Sequence, residues 1–263
     1  MSAPHRARKR FGQNFLTDTG IIRRIIDAIN PGPGQHLVEI GPGQGALTAD
    51  LLASGCQLDV IELDRDLVPP LQERFGDCER FTIHQADALR FDYAELAKPP
   101  QQLRLVGNLP YNISTPLIFH LLEYADIIDD MYFMLQREVV KRLAAEPGSK
   151  AWGKLGVMAQ YHCQVDALFD VPPGAFRPAP KVESAIVRLR PRDSQVDREL
   201  EQRLRQTVAA AFSQRRKTLR NTLRDLVSVQ QLESLGIDPG ARAETLSLQQ
   251  FVAISQLLDN DKD

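Results

Sequence analysis

The stretch "VEIGPGQGALT" at residues 38–48 decides the fold. An apolar run ends at Ile40, three glycines follow at Gly41, Gly43 and Gly45, and a helix-forming run occupies Ala46–Ala53. Glycine at alternate positions lets the backbone turn sharply and approach a ligand closely, so the order is strand, tight turn, helix. Working outward, a strand at Leu37–Ile40 is followed by short apolar runs at Leu58–Glu62, Phe81–His84, Leu103–Val106 and Met131–Leu135, with helical segments between them. This alternation predicts an α/β fold with a parallel, doubly wound sheet and ligands at the carboxyl ends of its strands. Upstream, Thr17 or Asp18 caps a helix to about Ile29, with Ile21, Ile22, Ile25, Ile26 and Ile29 on one face, and Pro31-Gly32-Pro33-Gly34 stops it. Downstream, a proline-rich loop at Pro172–Pro180 precedes a last strand at Ser184–Leu189. After Pro191 the pattern is helical only, with a long amphipathic stretch around 197–227 and shorter ones to about Leu258. A domain boundary is therefore expected near residues 191–197.

A chain of 263 residues suffices for one α/β domain and a smaller helical one. No apolar run approaches the ~20 residues that cross a bilayer, and no charged-then-apolar leader opens the chain, so a cytoplasmic protein without membrane association is expected. Cys56, Cys78 and Cys163 lie far apart without metal-site spacing; they read as reduced thiols without a function, and no metal is expected.

The net charge of −2 conceals an uneven distribution. Residues 1–24 carry six basic and one acidic residue, 25–136 six and seventeen, 137–192 ten and five, and 193–263 ten and eleven. Cations thus gather in the N-terminal arm, at Arg6, Arg8, Lys9 and Arg10, and again in the second half of the chain. Around Phe212, helical phase groups Phe212, Leu219, Leu223 and Leu226 on one side and Lys217, Arg220 and Arg224 on another, with Arg216 near the border. These two basic groups suit a polyanion such as RNA; a solvated tail and helix face is the alternative.

The glycine turn also marks a ligand site. Glu62 ends the second strand 21 residues after Gly41, where a carboxylate accepts hydrogen bonds from both ribose hydroxyls of a nucleoside-containing cofactor. Asp87, after the third strand, is placed to meet an exocyclic adenine amine. The spacing G-x-G-x-G lacks the G-x-G-x-x-G signature of a pyrophosphate seat, which favours S-adenosylmethionine over a nicotinamide dinucleotide. A second stretch, "VGNLPYNIST" at 106–115, puts Asn108, Leu109, Pro110 and Tyr111 at another strand end. None of the four is a good nucleophile, metal ligand or general base, so their chemistry is positioning. A sulfonium methyl asks for no more than an aligned acceptor lone pair.

With "KRFGQNFL" at 9–16, "IELDRDL" at 61–67, "FRPAPKVESAIVRL" at 176–189 and "FSQRRKTLRNTL" at 212–223 in the same order, the chain resembles the ribosomal RNA adenine N6-dimethyltransferases over nearly its whole length. The resemblance implies a Rossmann-like methyltransferase domain at 1–192, with a basic arm at 1–16, and an all-helical domain at 193–263 that contributes to binding of rRNA or the subunit. It implies S-adenosylmethionine as cofactor and S-adenosylhomocysteine as product. Asn14 and the backbone at Leu16 then lie over the cofactor, Gly41, Gly43, Glu62 and Asp87 form its floor, and Ala88 and Asn108 complete the wall. The implied substrate is two adjacent adenosines near the 3′ end of small-subunit (16S) rRNA in an immature 30S particle, dimethylated at N6 by a monomeric enzyme late in subunit biogenesis. Two alternatives stay open: an assembly factor whose methylation is secondary, and a large-subunit methyltransferase of the antibiotic-resistance type. "NLPYNIST" and "QRRKTLRN" favour the small-subunit branch.

Adenine N6 is a poor nucleophile because its lone pair is delocalised into the ring. The side-chain carbonyl of Asn108 and the main-chain carbonyl of Leu109, held by Pro110, are expected to accept its two hydrogens and aim the lone pair at the methyl carbon. Tyr111 is expected to stack on one face of the extruded base and Phe176 on the other, at ~1–3 kcal/mol per contact.

Overall fold

The computed structural model describes residues 14–192 and 197–258. In chain order the elements are β1 (Phe15–Leu16), α1 (Thr19–Ile29), β2 (His36–Ile40), α2 (Thr48–Ala53), β3 (Gln57–Glu62), α3 (Val68–Phe75), β4 (Phe81–Gln85), β5 (Leu103–Asn108), α4 (Ser114–Leu122) and β6 (Ile128–Gln136). There follow α5 (Arg137–Leu143), α6 (Lys154–His162), β7 (Cys163–Val171), β8 (Phe176–Arg177), β9 (Ser184–Pro191), α7 (Arg198–Ala211), α8 (Leu219–Thr222), α9 (Val229–Ser234) and α10 (Leu248–Leu257). Two compact units result: residues 1–140 with 166–191, and residues 141–165 with 192–263. The boundary expected near 191–197 is one crossing between them. The segment 141–165, which sequence assigned to the first domain, groups instead with the C-terminal helices.

Seven strands form a sheet in the order β4-β3-β2-β5-β6-β9-β7, all of it in the first unit except the first three residues of β7. The pairs among β4, β3, β2, β5 and β6 are parallel. β2 lies between β3 and β5, so the winding reverses beside it and leaves a crevice at the carboxyl ends of β2 and β5, where open α/β sheets bind ligands. Every residue of β2 is buried, as is β5 up to Asn108, in keeping with their mainly apolar sequences, with His36, Glu39 and Arg104 as the buried polar exceptions.

The wholly parallel sheet is corrected at one edge: β9 runs antiparallel to β6, from Met131 opposite Leu189 to Gln136 opposite Ser184. An apolar run such as Ser184–Leu189 carries no signal of direction. β7 was not foreseen, because its partly exposed sequence "CQVDALFDV" lacks both a buried run and a clean alternation. β1 and β8 form a separate antiparallel pair, Leu16 opposite Phe176.

α1 behaves as its sequence requires. Asp18 Oδ1 accepts the N–H groups of Gly20 (2.8 Å) and Ile21 (3.0 Å), Ile21, Ile25 and Ile29 are buried, and Asn30 closes the helix in the left-handed region.

In the second unit, α7 and α10 pack through Leu204, Val208, Phe251 and Ile254, and Ser255 Oγ donates to Thr207 Oγ1 at 3.1 Å. Trp152 Nε1 donates to the Leu246 carbonyl at 2.8 Å. The long amphipathic stretch expected around 197–227 is broken. α7 ends at Ala211, Phe212 caps it, and Thr218 in extended backbone starts the short α8. Leu219 and Leu223 are still buried, so the apolar spacing survives in two pieces.

Candidate active site

A cavity of about 180 Å³ opens at the carboxyl ends of β2, β3 and β5, entirely within the first unit. Asn14, Leu16, Gly41, Gly43, Glu62, Asp87, Ala88 and Asn108 all line it, and so do Leu109, Pro110 and Tyr111. Motifs spread over a hundred residues of chain therefore meet at one place.

The glycine turn needs glycine for two reasons. Gly41 and Gly43 have φ of +67° and +59°, and a Cβ on Gly43 would lie 3.2 Å from the Phe15 ring. The turn also presents an amide to the neighbouring strand: the Gly43 N–H donates to Glu62 Oε2 at 3.2 Å, while the Asp64 N–H, just past β3, donates to Oε1 at 2.8 Å. These bonds fix the orientation of the Glu62 carboxylate and leave it acceptor capacity for ligand hydroxyls. Asp87 Oδ1 accepts the Leu89 N–H at 3.0 Å, and the buried Tyr93 hydroxyl donates to the Ala88 carbonyl at 3.1 Å, fixing that turn from behind.

At the other end, Asn108 Nδ2 donates to the Asn14 carbonyl at 3.1 Å. That bond orients the amide: with the nitrogen engaged, Oδ1 is the atom left to accept, and no described donor reaches it. The Leu109 N–H donates to the Met134 carbonyl at 3.2 Å, continuing the sheet ladder past the end of β5. Tyr111 is half-buried, its hydroxyl 2.9 Å from Ser184 Oγ.

Glu39, Glu62, Asp64 and Asp87 line the cavity, and no described lining residue is Lys, Arg or His. An acid-walled cavity repels a pyrophosphate and suits a cationic ligand. The donor set thus fits S-adenosylmethionine, a sulfonium with a ribose and an adenine, and does not fit a dinucleotide. Glu39, 2% exposed, has its pKa raised to about 7 by burial, partly offset by the 2.6 Å hydrogen bond from Thr48 Oγ1 and reinforced by the nearby Glu62. Burial likewise raises Glu62, against the backbone hydrogen bonds from Asp64 and Gly43.

A pH dependence follows. Glu39 ionises near 4.5 in the unfolded chain and near 7 in the folded one, so the folded state binds the extra proton between these values. Its contribution is intact below pH 4.5 and is lost as pH rises through 7, by roughly 3 kcal/mol. The melting temperature of the ligand-free protein, followed from pH 5 to 8, should fall less steeply in Glu39→Gln, whose amide oxygen still accepts from Thr48.

Phe176 is 1% exposed and packs in the core cluster with Leu16 and Ile186; it is paired with the cavity-lining Leu16 but is not itself among the lining residues. Arg216, Lys217, Arg220 and Arg224 are exposed in the second unit, but the break after α7 removes the common helical face expected of them. Arg6, Arg8, Lys9 and Arg10 lie outside the described residues.

Sequence reasoning missed Phe15, Glu39 and Leu63, all in the cavity lining. Each had a signal. Glu39 is a charge inside a buried strand, Leu63 an apolar residue just past a strand-end acid and 51% exposed, and Phe15 sits between two residues already singled out.

Comparison with known proteins agrees with this geometry. Residues 4–260 match the family model described as ribosomal RNA adenine dimethylase. A protein of Pseudomonas aeruginosa named ribosomal RNA small subunit methyltransferase A is 59% identical over 262 residues, covering 97% of this chain and 95% of the relative. One of the same name from Hahella chejuensis is 58% identical, covering 95% and 92%. Among solved structures, a dimethyladenosine transferase from Plasmodium falciparum superposes with a TM-score of 0.80 at 24% identity over 94% of this chain and 98% of that one, a likeness of fold. The 23S rRNA methyltransferase ErmE superposes at 0.74 with 27% identity, over 94% and 100%. Because the family match runs almost from end to end and takes in every residue of the cavity wall, the chain belongs to the ribosomal RNA adenine dimethylase family.

Proposed function

We propose that this protein transfers methyl groups from S-adenosylmethionine to N6 of two adjacent adenosines near the 3′ end of small-subunit rRNA, in an immature 30S particle. The observation that carries the reading is the single acid-walled cavity joining the Gly41–Gly43 turn, Glu62 and Asp87 to the Asn108–Tyr111 strand end. Near-full-length identity of 58–59% to relatives named for the small subunit, against 27% to ErmE, supports the small-subunit branch over the large.

When bound, S-adenosylmethionine supplies an electrophilic methyl on sulfur. Glu62 holds the ribose hydroxyls and Asp87 the adenine amine, both carboxylates already oriented by backbone N–H groups. Asn108 Oδ1 and the Leu109 carbonyl accept the two N6 hydrogens of the target base. The nitrogen becomes tetrahedral and its lone pair turns toward the methyl. Tyr111 stacks on the extruded base. No strong base is required, since the methylated, positively charged amine is acidic and loses its proton to water. The exposed cations of the second unit hold phosphates without reading sequence, so affinity for RNA falls steeply with salt. The enzyme acts as a cytoplasmic monomer; among the described residues no helix is long and apolar enough to cross a membrane.

The test is transfer of labelled methyl to small subunits from cells lacking the modification, with mature small subunits and large subunits as controls. Label on immature small subunits alone is expected. Label on large subunits would support the resistance-type branch, and binding without label would support an assembly factor.

A further inference from the structure

We infer that Ser184 is a positioning residue for methyl transfer: it anchors the hydroxyl of Tyr111 to the sheet, so that the ring is a preset platform before the target base arrives. The inference rests on the proposed reading of Tyr111 as the stacking residue and adds what holds it.

The turn that carries Tyr111 follows β5 and has little to stiffen it beyond the Ile113 N–H to the Pro110 carbonyl at 3.1 Å and Ser114 Oγ to the Tyr111 carbonyl at 3.3 Å. These fix the backbone end of the residue. Its far end is fixed by the 2.9 Å hydrogen bond between the Tyr111 and Ser184 hydroxyls. Ser184 is 1% exposed and is the first residue of β9, paired with Gln136 on β6, so the anchor belongs to the sheet and not to a loop.

The chain just before it is latched as well. The Arg137 N–H donates to the Glu183 carbonyl at 2.9 Å, and the Arg137 guanidinium bridges the Glu183 carboxylate and, at 3.0 Å, that of Asp170. Tyr111 is thus held at both ends while its face stays in the cavity wall. This also gives a reason for tyrosine where phenylalanine would stack equally well. A base entering the site then meets a ring whose rotamer is already fixed, and the ordering cost does not fall on the encounter.

The test uses the full chain as wild type, Ser184→Ala, Tyr111→Phe, the double variant and Ser184→Thr, which keeps a hydroxyl. Ser184→Ala should lower kcat on immature small subunits about tenfold, with an unchanged Kd for S-adenosylmethionine by calorimetry and an unchanged Tm. Tyr111→Phe should lose the same factor, the double variant no more than either, and Ser184→Thr should recover most of the rate. Losses that multiply in the double variant, or a Ser184→Ala rate equal to wild type, would overturn the inference. A second readout does not depend on the substrate. In protein labelled with 3-fluorotyrosine, the Tyr111 resonance, assigned by its absence in Tyr111→Phe, should shift and narrow in Ser184→Ala as the ring is released. An unmoved resonance would also overturn the inference, whereas a moved resonance in a protein that methylates no subunit would count against the functional reading alone.

Discussion

Replacing Asn108 with alanine is expected to lower methyl transfer by about 10²–10³-fold while leaving subunit binding within a few-fold of wild type. The size follows from what the side chain does. With Nδ2 committed to the Asn14 carbonyl, Oδ1 is the atom of the amide left to accept at the strand end of the cavity. Alanine removes the acceptor that turns the nitrogen lone pair out of the ring, an effect felt when N6 becomes tetrahedral and much less when the base merely binds. Asn108→Asp should not rescue the rate: a carboxylate accepts well, but it has no N–H to give Asn14 and swings free of its setting. Single-turnover rates beside calorimetric Kd values separate the two effects. A large rise in Kd at unchanged rate would assign Asn108 to binding alone.

Arg104→Ala is expected to cost about 3–5 kcal/mol of stability, enough to lower the melting temperature by roughly 10 °C. Arg104 lies on β5 and is buried together with Asp130 of β6, to which it donates twice, from Nε and Nη2, at 2.9 Å each. Nη2 also donates to the Ile29 carbonyl at 2.7 Å and Nη1 to Gln35 Oε1 at 2.8 Å, so one guanidinium closes the carboxyl end of α1 onto two strands. Alanine leaves the Asp130 carboxylate buried without its partner and the helix carbonyl without its donor. The double variant Arg104→Met with Asp130→Leu should recover much of the loss, since the main penalty is the unpaired charge. Equal melting points for wild type and Arg104→Ala would refute this account.

Much of this was readable beforehand because the relevant signals are local. The Asp18 cap, the isoleucine stripe of α1 and the buried runs of β2 and β5 follow from neighbouring residues, and the observed elements lie where those runs are. The glycine turn, Glu62, Asp87 and Asn108 each stand at the end of an apolar run, and the parallel winding brings those strand ends into one cavity. What was missed depends on contacts distant in sequence. The direction of β9 is set by its partner β6, and the grouping of 141–165 with the C-terminal helices by packing that no periodicity records. The break after α7 was missed for another reason: the apolar spacing continues through Leu219 and Leu223 although the backbone does not.

The most direct measurement is nucleoside analysis by mass spectrometry of immature small subunits after incubation with this protein and S-adenosylmethionine, with Asn108→Ala in parallel. N6,N6-dimethyladenosine, about two per subunit, in the wild-type reaction and almost none with the variant is the expected result. A methyl group on any other atom, or dimethyladenosine formed equally well by Asn108→Ala, would contradict the claim that this strand end directs adenine N6 to the methyl donor.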